Sequence, residues 1–374
     1  MPLYLDEDQT MLRDTARDFV ADVAPVGHLR ALRDAKDPTG FSRDLWKQFA
    51  DMGFTGIMVG EDHGGLGLGH VEAGIVLEEI GRNLSPSPFL STSVAAVAAL
   101  TDSAHAERWF PGIVAGETVA ALAIDESAKH RGDVALQATR SGNGFRLSGE
   151  KRFVQHGHVA DLLIVAARTA GAAEDDEGVT LFAVPRDAAG IDASPERLAD
   201  ASLASRIAFD VEVDADAVIG EVDAGRAPLA RLLAAGRTGA SAELLGVGSG
   251  AMDMTVGYLK ERKQFGTLIG SFQALQHRAA HLYSEMEVAR AAVLKAQQLL
   301  DANDVRARAA VAVAKAQTAL ATTLSVQEGV QMHGGIGMTD EYDIGFYMKR
   351  ARVLAELFGD ANFHGDELAV MAGY

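Results

Sequence analysis

The sequence alternates between two patterns of apolar residues, and this change of pattern constrains the fold more than any single motif does. From the amino end to about residue 115, apolar residues recur at the spacing of amphipathic helices. Between residues 118 and 221 the pattern becomes short apolar runs that Gly, Pro and Asp clusters separate. From residue 228 the helical spacing returns in long stretches rich in alanine and glycine. The order of helices, strands and helices predicts an α+β protein.

These changes predict three domains in a chain of 374 residues, which is long enough for two or three. Residues 1–117 are predicted to form an N-terminal α-helical domain, residues 118–225 a middle β domain, and residues 226–374 a C-terminal helical domain. Strands without intervening helices, two of them joined by the turn signal SGNG at 141–144, predict an antiparallel β-barrel. The long helical patterns of the last domain and the segment 340–358 predict a four-helix bundle.

The composition excludes several classes of function. A formal net charge of −18 argues against nucleic-acid binding, which needs a basic surface, and against an anionic membrane surface. The chain has no cysteine, which excludes disulfides, zinc–thiolate sites, iron–sulfur clusters and a thiol nucleophile. The amino end lacks a signal-peptide pattern, and the longest apolar stretch, at about 89–100, is too short to span a bilayer. We therefore expect a cytoplasmic protein without nucleic-acid or membrane partners.

Metal and serine-nucleophile chemistry also lack a convincing motif. His277 and His281 share a helix face, but Arg278 stands where a zinc-protease motif needs glutamate. No third ligand is evident near them, so we predict no metal site. There is no GxSxG motif, and Ser249 between two glycines falls inside a helical pattern.

One segment, residues 258–281, collects residue types that suit a dinucleotide. Its sequence predicts the end of one helix, a turn around Gly266 and Gly270, and a second helix that Ser271 caps at Phe272. The turn holds a cation, two amides and an aromatic ring: Arg262, Gln264, Phe265 and Gln273. An arginine fork suits a pyrophosphate, and an aromatic face or a glutamine amide suits adenine. By residue type alone, a solvated surface hairpin is the more common interpretation.

A second segment, QMHGGIG at 331–337, places three glycines at the end of a predicted helix. Such glycines permit a left-handed turn and a close backbone approach, and their N–H groups can cradle a phosphate. An ordinary glycine helix end is the simpler interpretation of this segment alone. Neither this segment nor GEDHGGLGLG at 60–69 follows a strand, so neither predicts a Rossmann unit.

Two acidic residues are candidate general bases. Glu243 interrupts an apolar helical run and shares a helix face with Gly236 and Gly239. A carboxylate on an apolar face is costly to ionise, which suits a general base. A structural ion pair, with Arg237 or with an arginine of a partner chain, is the alternative. Asp360 follows a glycine at a helix end, where a plain helix cap fits equally well.

The two glycine-containing segments together resemble motifs of the acyl-CoA dehydrogenase family. RKQFG at 262–266, Phe272-Gln273 and QMHGGIG at 331–337 occur in the family's order and spacing. GEKRFVQHG at 149–157 lies in the β domain, as in that family, and the resemblance covers essentially the whole chain. The resemblance implies FAD as cofactor, an acyl-CoA thioester as substrate, a tetramer, and electron transfer to an electron-transferring flavoprotein.

The resemblance also assigns individual residues. Arg262 resembles the arginine that meets the FAD pyrophosphate of a neighbouring subunit, and Gln331 begins the segment that approaches the dinucleotide from the other chain. Phe153 and Gln155 fall near the isoalloxazine, where glutamine replaces a hydroxyl residue. The implied FAD contacts are Arg262, Gln264, Phe265, Phe272, Gln273, Gln331, Gly334, Gly335, Phe153 and Gln155. We expect a dinucleotide site that is completed across a subunit interface.

Departures from the family pattern bear on catalysis. The loop at 125–133, DESAKHRGD, replaces the family's usual contacts to flavin phosphate and substrate. The two positions at which the family carries its catalytic glutamate fall on Gly359 and Gly236. The resemblance makes Glu243, two turns along the same helix, the substitute. This arrangement resembles short acyl-CoA dehydrogenase chains of bacterial sterol and aromatic degradation, which pair with a second chain. Gly236 and Gly239 would leave room for a bulky acyl group.

The sequence and the resemblance together predict FAD-dependent α,β-dehydrogenation of an acyl-CoA to a trans-2-enoyl-CoA, on a bulky acyl group such as a sterol side chain. Glu243 is the predicted base, in an α2β2 complex with a second chain or in a homotetramer. Two alternatives stay open. One is a non-catalytic partner chain that completes an FAD site, and the other is a flavin monooxygenase on the same fold.

Overall fold

The computed structural model describes residues 2–374, which divide into two compact units. The first unit combines the amino-terminal residues up to Ala31 with His70–Ser85 and Arg237–Tyr374. The second unit contains Leu32–Gly69 and Pro86–Gly236. The predicted three-domain boundaries stay a prediction.

Helices dominate the first unit, and strands are concentrated in the second. The α-helices are α1 Glu7–Val23, α2 Val26–Asp34, α3 Arg43–Asp51, α4 His70–Arg82, α5 Val97–Leu100, α6 His105–Val114, α7 Arg226–Glu261, α8 Gln273–Asp301, α9 Ala307–His333, α10 Ile344–Glu356 and α11 Ala361–Met371. The strands are β1 Ala120–Ala123, β2 Gln137–Ser141, β3 Gly144–Gln155, β4 Leu162–Arg168, β5 Val179–Pro185, β6 Ile191–Arg197, β7 Leu203–Val213, β8 Val218–Ile219, β9 Lys263–Gln264 and β10 Thr267–Leu268.

The central helix of the C-terminal part is α9, because α8, α10 and α11 all pack against it. Leu244 and Val247 of α7 join Val326 of α9 and Leu354 of α10 in one buried cluster. The prediction of a helical C-terminal part is confirmed. The four predicted bundle helices correspond to α7–α10, and α11 is a fifth helix that packs on α9.

In the first unit, α4 and α7 touch through their backbones. A Cβ atom on Gly81 would lie 2.1 Å from the Glu243 carbonyl oxygen, and one on Gly246 would lie 1.9 Å from the Glu78 carbonyl oxygen. Distances this short leave no space for a side chain in a close-packed interior. Glycine is therefore required at both positions, and it sets how closely the two helices approach.

The second unit contains an open, mixed sheet, so the prediction of a closed antiparallel barrel is wrong. The strand order is β6-β7-β3-β2-β4-β5-β8, and β1 pairs with β4 in parallel. β2 and β4 are joined by one parallel pair, Gln137 with Arg168. The two edges stay open because β6 carries Pro195, which has no N–H to donate, and β8 has only two residues. The hairpin predicted at 141–144 is confirmed.

One helical stretch, Ala307–Met338, is long and apolar enough to cross a membrane by length and composition alone. Its most apolar window is 56% buried within the protein. A core helix of a globular protein has the same properties, so this stretch does not by itself indicate a membrane span.

Candidate functional site

The segment 262–273 begins as a two-stranded hairpin. β9 pairs antiparallel with β10, and the two residues between them, Phe265 and Gly266, have φ angles of 53° and 79°. A two-residue type I′ turn requires positive φ angles at both positions. This conformation is costly for phenylalanine, and the Phe265 ring is 93% exposed. Strain and exposure together indicate a ring that is held ready to contact a ligand or another chain.

The predicted helix cap at Ser271 is wrong. α8 begins at Gln273, and its N-cap residue Phe272 makes no side-chain hydrogen bond. The Ser271 hydroxyl instead donates to the Leu268 carbonyl oxygen at 2.7 Å. A short 3₁₀ turn over Ile269–Ser271 separates the hairpin from α8 and moves the hydroxyl away from the capping position.

The structure brings the hairpin and the 331–337 segment together within one chain. Leu259, Ile269 and Met332 share one buried cluster. The residues next to Leu259 and Met332 in the sequence, Tyr258 and His333, are also in contact, with 4.5 Å between their ring centroids. The end of α7, the hairpin and the end of α9 therefore form one continuous region, although they are spread over residues 258–337 of the sequence.

The surface of this region fits a dinucleotide. Gly334 has a φ angle of 66°, and a Cβ atom on Gly334 or Gly335 would meet no atom within 4 Å, so the backbone is open. The predicted contacts with exposed side chains are Arg262, Gln264, Phe265, Phe272, Gln273 and Gln331. Within the described residues, Arg262 has no salt-bridge partner to neutralise its charge. A free cation, amides, aromatic rings and open N–H groups match phosphates and a base.

Phe153 lies on a bulge of β3 in the second unit. The pairing of β3 with β7 changes register between Lys151 and Val154, and Phe153 has a φ angle of 54°. A bulge re-aims the side chain that it carries, and the Phe153 ring is 42% exposed. Gln155 follows on the same strand and is half-buried.

Sequence reasoning missed a buried ion pair beneath the loop that departs from the family pattern. Lys151 is fully buried, and its Nζ donates to Glu126 Oε1 at 2.5 Å. Burial lowers the pKa of Lys151. Glu126 also accepts the backbone N–H groups of Ala135 and Leu136, both at 2.8 Å, and so anchors the loop. The signal in the sequence was a lysine at the two-residue spacing of the apolar residues of β3.

Glu243 is buried and forms an ion pair with Arg350 of α10. Its Oε1 accepts hydrogen bonds from Nε of Arg350 at 3.0 Å and from Nη2 at 2.5 Å, and Glu243 is 3% exposed. Arg237, the partner suggested by sequence proximity, pairs instead with Glu367 at 3.1 Å. The two donors of Arg350 neutralise the carboxylate and hold it in one orientation, as in a structural ion pair. The role of Glu243 as a base stays a prediction.

The turn between α10 and α11 contains the other candidate positions. Asp360 caps α11, since its side chain accepts the Phe363 N–H at 2.9 Å. Gly359 has a φ angle of 108°, and a Cβ atom there would lie 2.5 Å from Cδ1 of Phe363 and 3.0 Å from Nε2 of His364. The fold therefore leaves no room for a side chain at position 359.

Three family models match successive parts of the chain. They describe the acyl-CoA dehydrogenase N-terminal domain at residues 6–117, the middle domain at 121–211 and the C-terminal domain at 223–370. This chain belongs to the acyl-CoA dehydrogenase family. The order and spacing of the two FAD-type motifs had indicated the same family, and this prediction is confirmed.

Individual relatives align along nearly the whole chain. Acyl-CoA dehydrogenase FadE12 of Mycobacterium tuberculosis (strain ATCC 25618 / H37Rv) is 32% identical over 361 residues, which cover 93% of this chain and 91% of the relative. Among solved structures, a variant of the Tcur3481-Tcur3483 steroid ACAD is 30% identical, with a TM-score of 0.88 and 98% coverage of both chains. The ChsE4-ChsE5 complex from Mycobacterium tuberculosis is 26% identical, with a TM-score of 0.91 and coverage of 100% and 99%.

As a member of this family, the protein is an FAD-dependent oxidoreductase that acts on acyl-CoA. The predictions of enzyme class and cofactor are thereby confirmed. The surface formed by the hairpin and the open glycines fits FAD in its charge and exposure. The assignment of single residues to parts of FAD stays a prediction.

Proposed function

We propose that the protein oxidises the Cα–Cβ bond of an acyl-CoA thioester to a trans-2-enoyl-CoA and passes the electrons to an electron-transferring flavoprotein. The main supporting observation is the exposed surface that the hairpin after α7 forms with Gly334 and Gly335. Family membership supplies the reaction class, and this surface supplies the chemistry for binding FAD. When bound, FAD accepts the hydride from Cβ.

The residues of this surface have separate tasks in the proposal. Arg262 binds the pyrophosphate with its two-pronged guanidinium group. The adenine side is contacted by Gln264, Phe265, Phe272 and Gln273. The segment from the end of α9, with Gln331, Gly334 and Gly335, approaches the dinucleotide through its backbone N–H groups. By the family resemblance, Phe153 and Gln155 of β3, which belong to the second unit, would contact the isoalloxazine.

We also propose that another subunit completes the FAD site. Arg262 and Phe265 are exposed in the single chain, as residues that contribute to a neighbour's site must be. A second, different chain in an α2β2 complex is favoured over a homotetramer by the similarity to the ChsE4-ChsE5 complex and to the Tcur3481-Tcur3483 steroid ACAD. The steroid relative and the lack of side chains at Gly236 and Gly239 favour a bulky acyl group. The cytoplasmic location and the three-domain boundaries belong to the same proposal.

A base must remove the α-proton in this reaction, and Glu243 is the candidate from the sequence. A second function, that of a non-catalytic chain that completes an FAD site, is favoured by specific contacts. Glu243 is paired with Arg350, Asp360 caps α11, and position 359 has no room for a glutamate. The experiment below separates the two functions.

The protein is expressed with and without the product of its neighbouring gene, and the flavin spectrum is recorded before and after adding acyl-CoAs. Octanoyl-CoA, 3-phenylpropionyl-CoA and a steroid side-chain acyl-CoA represent straight, aromatic and bulky groups. A yellow protein that is bleached by one of them supports the dehydrogenation. A colourless protein under both conditions refutes FAD binding, and oxygen uptake with an aromatic substrate but no bleaching supports a monooxygenase.

The Glu243→Gln variant tests the base. Loss of α-proton removal with flavin retained supports Glu243, whereas unchanged turnover excludes it. Glu79→Gln is a matched control, because Glu79 is also a buried glutamate paired with an arginine, Arg17, at 3.1 Å. We expect the control to retain turnover in the folded protein.

A further inference from the structure

A cavity of about 490 Å³ lies within the first unit, between α1, α4, α7 and α8. Cavities of this volume are of the size that small-molecule ligands occupy. Leu3 and Tyr4 lie at its edge and are 52% and 71% exposed, so the cavity can be reached from solvent. The described residues that line it include none of the predicted FAD contacts and neither candidate base. It is therefore separate from the site of the proposed dehydrogenation.

One part of the cavity is apolar. Ile75 of α4 and Leu294 of α8 belong to one buried cluster, and Leu5 packs against that cluster from the amino-terminal segment. All three residues line the cavity. Because the removal of apolar surface from water is favourable, this part fits a hydrocarbon chain.

The lining becomes charged one turn further along α4, from Ile75 to Glu78. Arginines from three helices line the cavity: Arg13 and Arg17 of α1, Arg82 of α4 and Arg290 of α8. Arg17 donates to Glu79 through Nε at 3.3 Å and Nη2 at 3.1 Å, and its Nη1 has no partner among the described residues. A guanidinium group with unused donors suits a carboxylate.

The carboxylates near these arginines do not cancel their charge. Glu78 is shared by Arg82 and Arg290. The buried Glu79 is shared by Arg17 and Arg82, so three arginines have two inner carboxylates between them. The remaining partners pair weakly because they are 59%, 73% and 45% exposed, and they are Asp14, Asp253 and Glu287. This end of the cavity therefore favours an anionic ligand, although the whole chain has a net charge of −18.

A glutamine lines the cavity at the other end of the apolar part. Gln297 is 5% exposed, and its side-chain amide has no hydrogen-bond partner within the part of the chain that the structure describes. Gly74 makes room for this amide, because a Cβ atom on Gly74 would lie 1.8 Å from Nε2 of Gln297. A buried polar group without a partner is costly. The amide can be satisfied by a polar group of a ligand in the cavity.

The two polar ends of the cavity are separated along α8. Arg290 and Gln297 are two turns apart on one face of this helix, which corresponds to about 10 Å along its axis. A ligand that uses the whole cavity therefore has an anionic group, an apolar middle and a second hydrogen-bonding group at its far end. A small inorganic anion would leave the apolar part and Gln297 without a contact.

We propose that this cavity binds a medium-chain carboxylate with a hydroxyl or carbonyl group at its far end. The carboxylate lies against Arg17, the chain packs on Ile75 and Leu294, and the far group forms a hydrogen bond with the Gln297 amide. Arg13 adds a positive charge at the edge of the cavity. This inference does not rest on the proposed dehydrogenation.

Isothermal titration calorimetry of the full-length protein with 10-hydroxydecanoate tests the site. We expect saturable binding of one molecule per chain. Decanoate lacks the far hydroxyl group and 1,10-decanediol lacks the carboxylate, so each should bind about tenfold more weakly or worse. The absence of binding at millimolar concentrations of 10-hydroxydecanoate overturns the inference.

Two arginine variants test the anionic end. Arg17→Gln should weaken the binding of 10-hydroxydecanoate by about tenfold or more, and Glu79 keeps Arg82 as a partner in the folded variant. Arg13→Gln disturbs the fold least, because Arg13 is paired only with the exposed Asp14, and it should also weaken binding. Arg352→Gln is the control, because this side chain is 76% exposed and does not line the cavity, and its affinity should equal that of the wild type.

Gln297→Leu tests the other end. The variant removes the amide and leaves no former partner unpaired, so it should bind decanoate as the wild type does. It should lose the preference for 10-hydroxydecanoate over decanoate. Gln317→Leu is the control, because Gln317 is a half-buried glutamine of α9 that does not line the cavity, and it should keep the preference.

Photo-crosslinking needs no variant. A medium-chain carboxylate with a diazirine in mid-chain should label the peptides that contain Ile75 or Leu294, as identified by mass spectrometry, and an excess of 10-hydroxydecanoate should prevent the labelling. Labelling only of other peptides overturns the inference. An affinity that neither the arginine variants nor Gln297→Leu change overturns it as well. These measurements do not use flavin bleaching, so the inference and the proposed dehydrogenation can fail independently.

Discussion

Replacing Lys315 by methionine removes a buried charge from the helical first unit. Lys315 is fully buried on α9 and donates to the carbonyl oxygens of Ala355 and Gly359. Burial, with a smaller contribution from Arg237, lowers the pKa of Lys315 from 10.5 to about 7. The cost of keeping this lysine charged inside the protein therefore depends strongly on pH.

The direction of this dependence follows from the protons that each state binds. The unfolded chain keeps Lys315 protonated up to a pH near its ordinary pKa of 10.5, whereas the folded protein releases that proton above a pH of about 7. Between these values the unfolded state binds more protons, so folding becomes more favourable as the pH rises. A pKa that falls from 10.5 to about 7 corresponds to about 5 kcal/mol of unfolding free energy.

Urea unfolding of the wild type and of Lys315→Met, followed by circular dichroism over this pH range, measures the effect. We expect the wild type to gain on the order of 5 kcal/mol relative to the variant as the pH rises. Lys47→Met is the control, because the Lys47 side chain is 58% exposed and its replacement should change the unfolding free energy little. If the difference in unfolding free energy between the wild type and Lys315→Met does not change with pH, the conclusion that Lys315 is buried with a lowered pKa is refuted.

Three further changes give sharp expectations. Arg350→Met leaves Glu243 buried without its partner, so the unfolding free energy should fall by roughly 3–5 kcal/mol, and adding Glu243→Gln should recover part of the loss in urea unfolding. Arg262→Ala should weaken FAD binding by roughly tenfold or more, measured by the fluorescence of released flavin. Arg352→Ala, at a side chain that is 76% exposed, should bind FAD as the wild type does, and equal affinities for both variants would contradict the assigned site. Gly359→Ala should lower the melting temperature, because its φ angle is 108° and the added carbon has no space, whereas an unchanged melting temperature would show that the turn is relaxed.

The order of helices and strands was predictable because the two kinds of element have different apolar periods. β4, which is buried along its whole length, appears in the sequence as the uninterrupted run at 162–167. Whether the sheet closes into a barrel or stays open was not predictable in the same way. It depends on which strands meet and on the edges that Pro195 and the two-residue β8 leave open, and periodicity does not report strand neighbours.

The candidate site was predictable in its residue types but not in its conformations. Arg262 and Gln331 are visible as a cation and an amide next to glycines, whereas the positive φ angle of Phe265 depends on a hairpin only two residues long on each side. The pairing of Glu243 with Arg350 joins residues that are 107 positions apart. Such a contact is fixed by the packing of α7 against α10, which no local pattern encodes.

The first unit combines the amino-terminal helices with Arg237–Tyr374, whereas the last residue of the second unit is Gly236. During synthesis, α1 and α4 therefore leave the ribosome long before the helices that cover them. Leu12 and Val71 can pack against Leu294 only after α8 has been synthesised. Gly81 can likewise pack against α7 only after α7 has been synthesised. The early helices thus present apolar surface for most of translation. A ribosome-associated chaperone that binds apolar helices is expected to stay on this nascent chain until its last helices emerge.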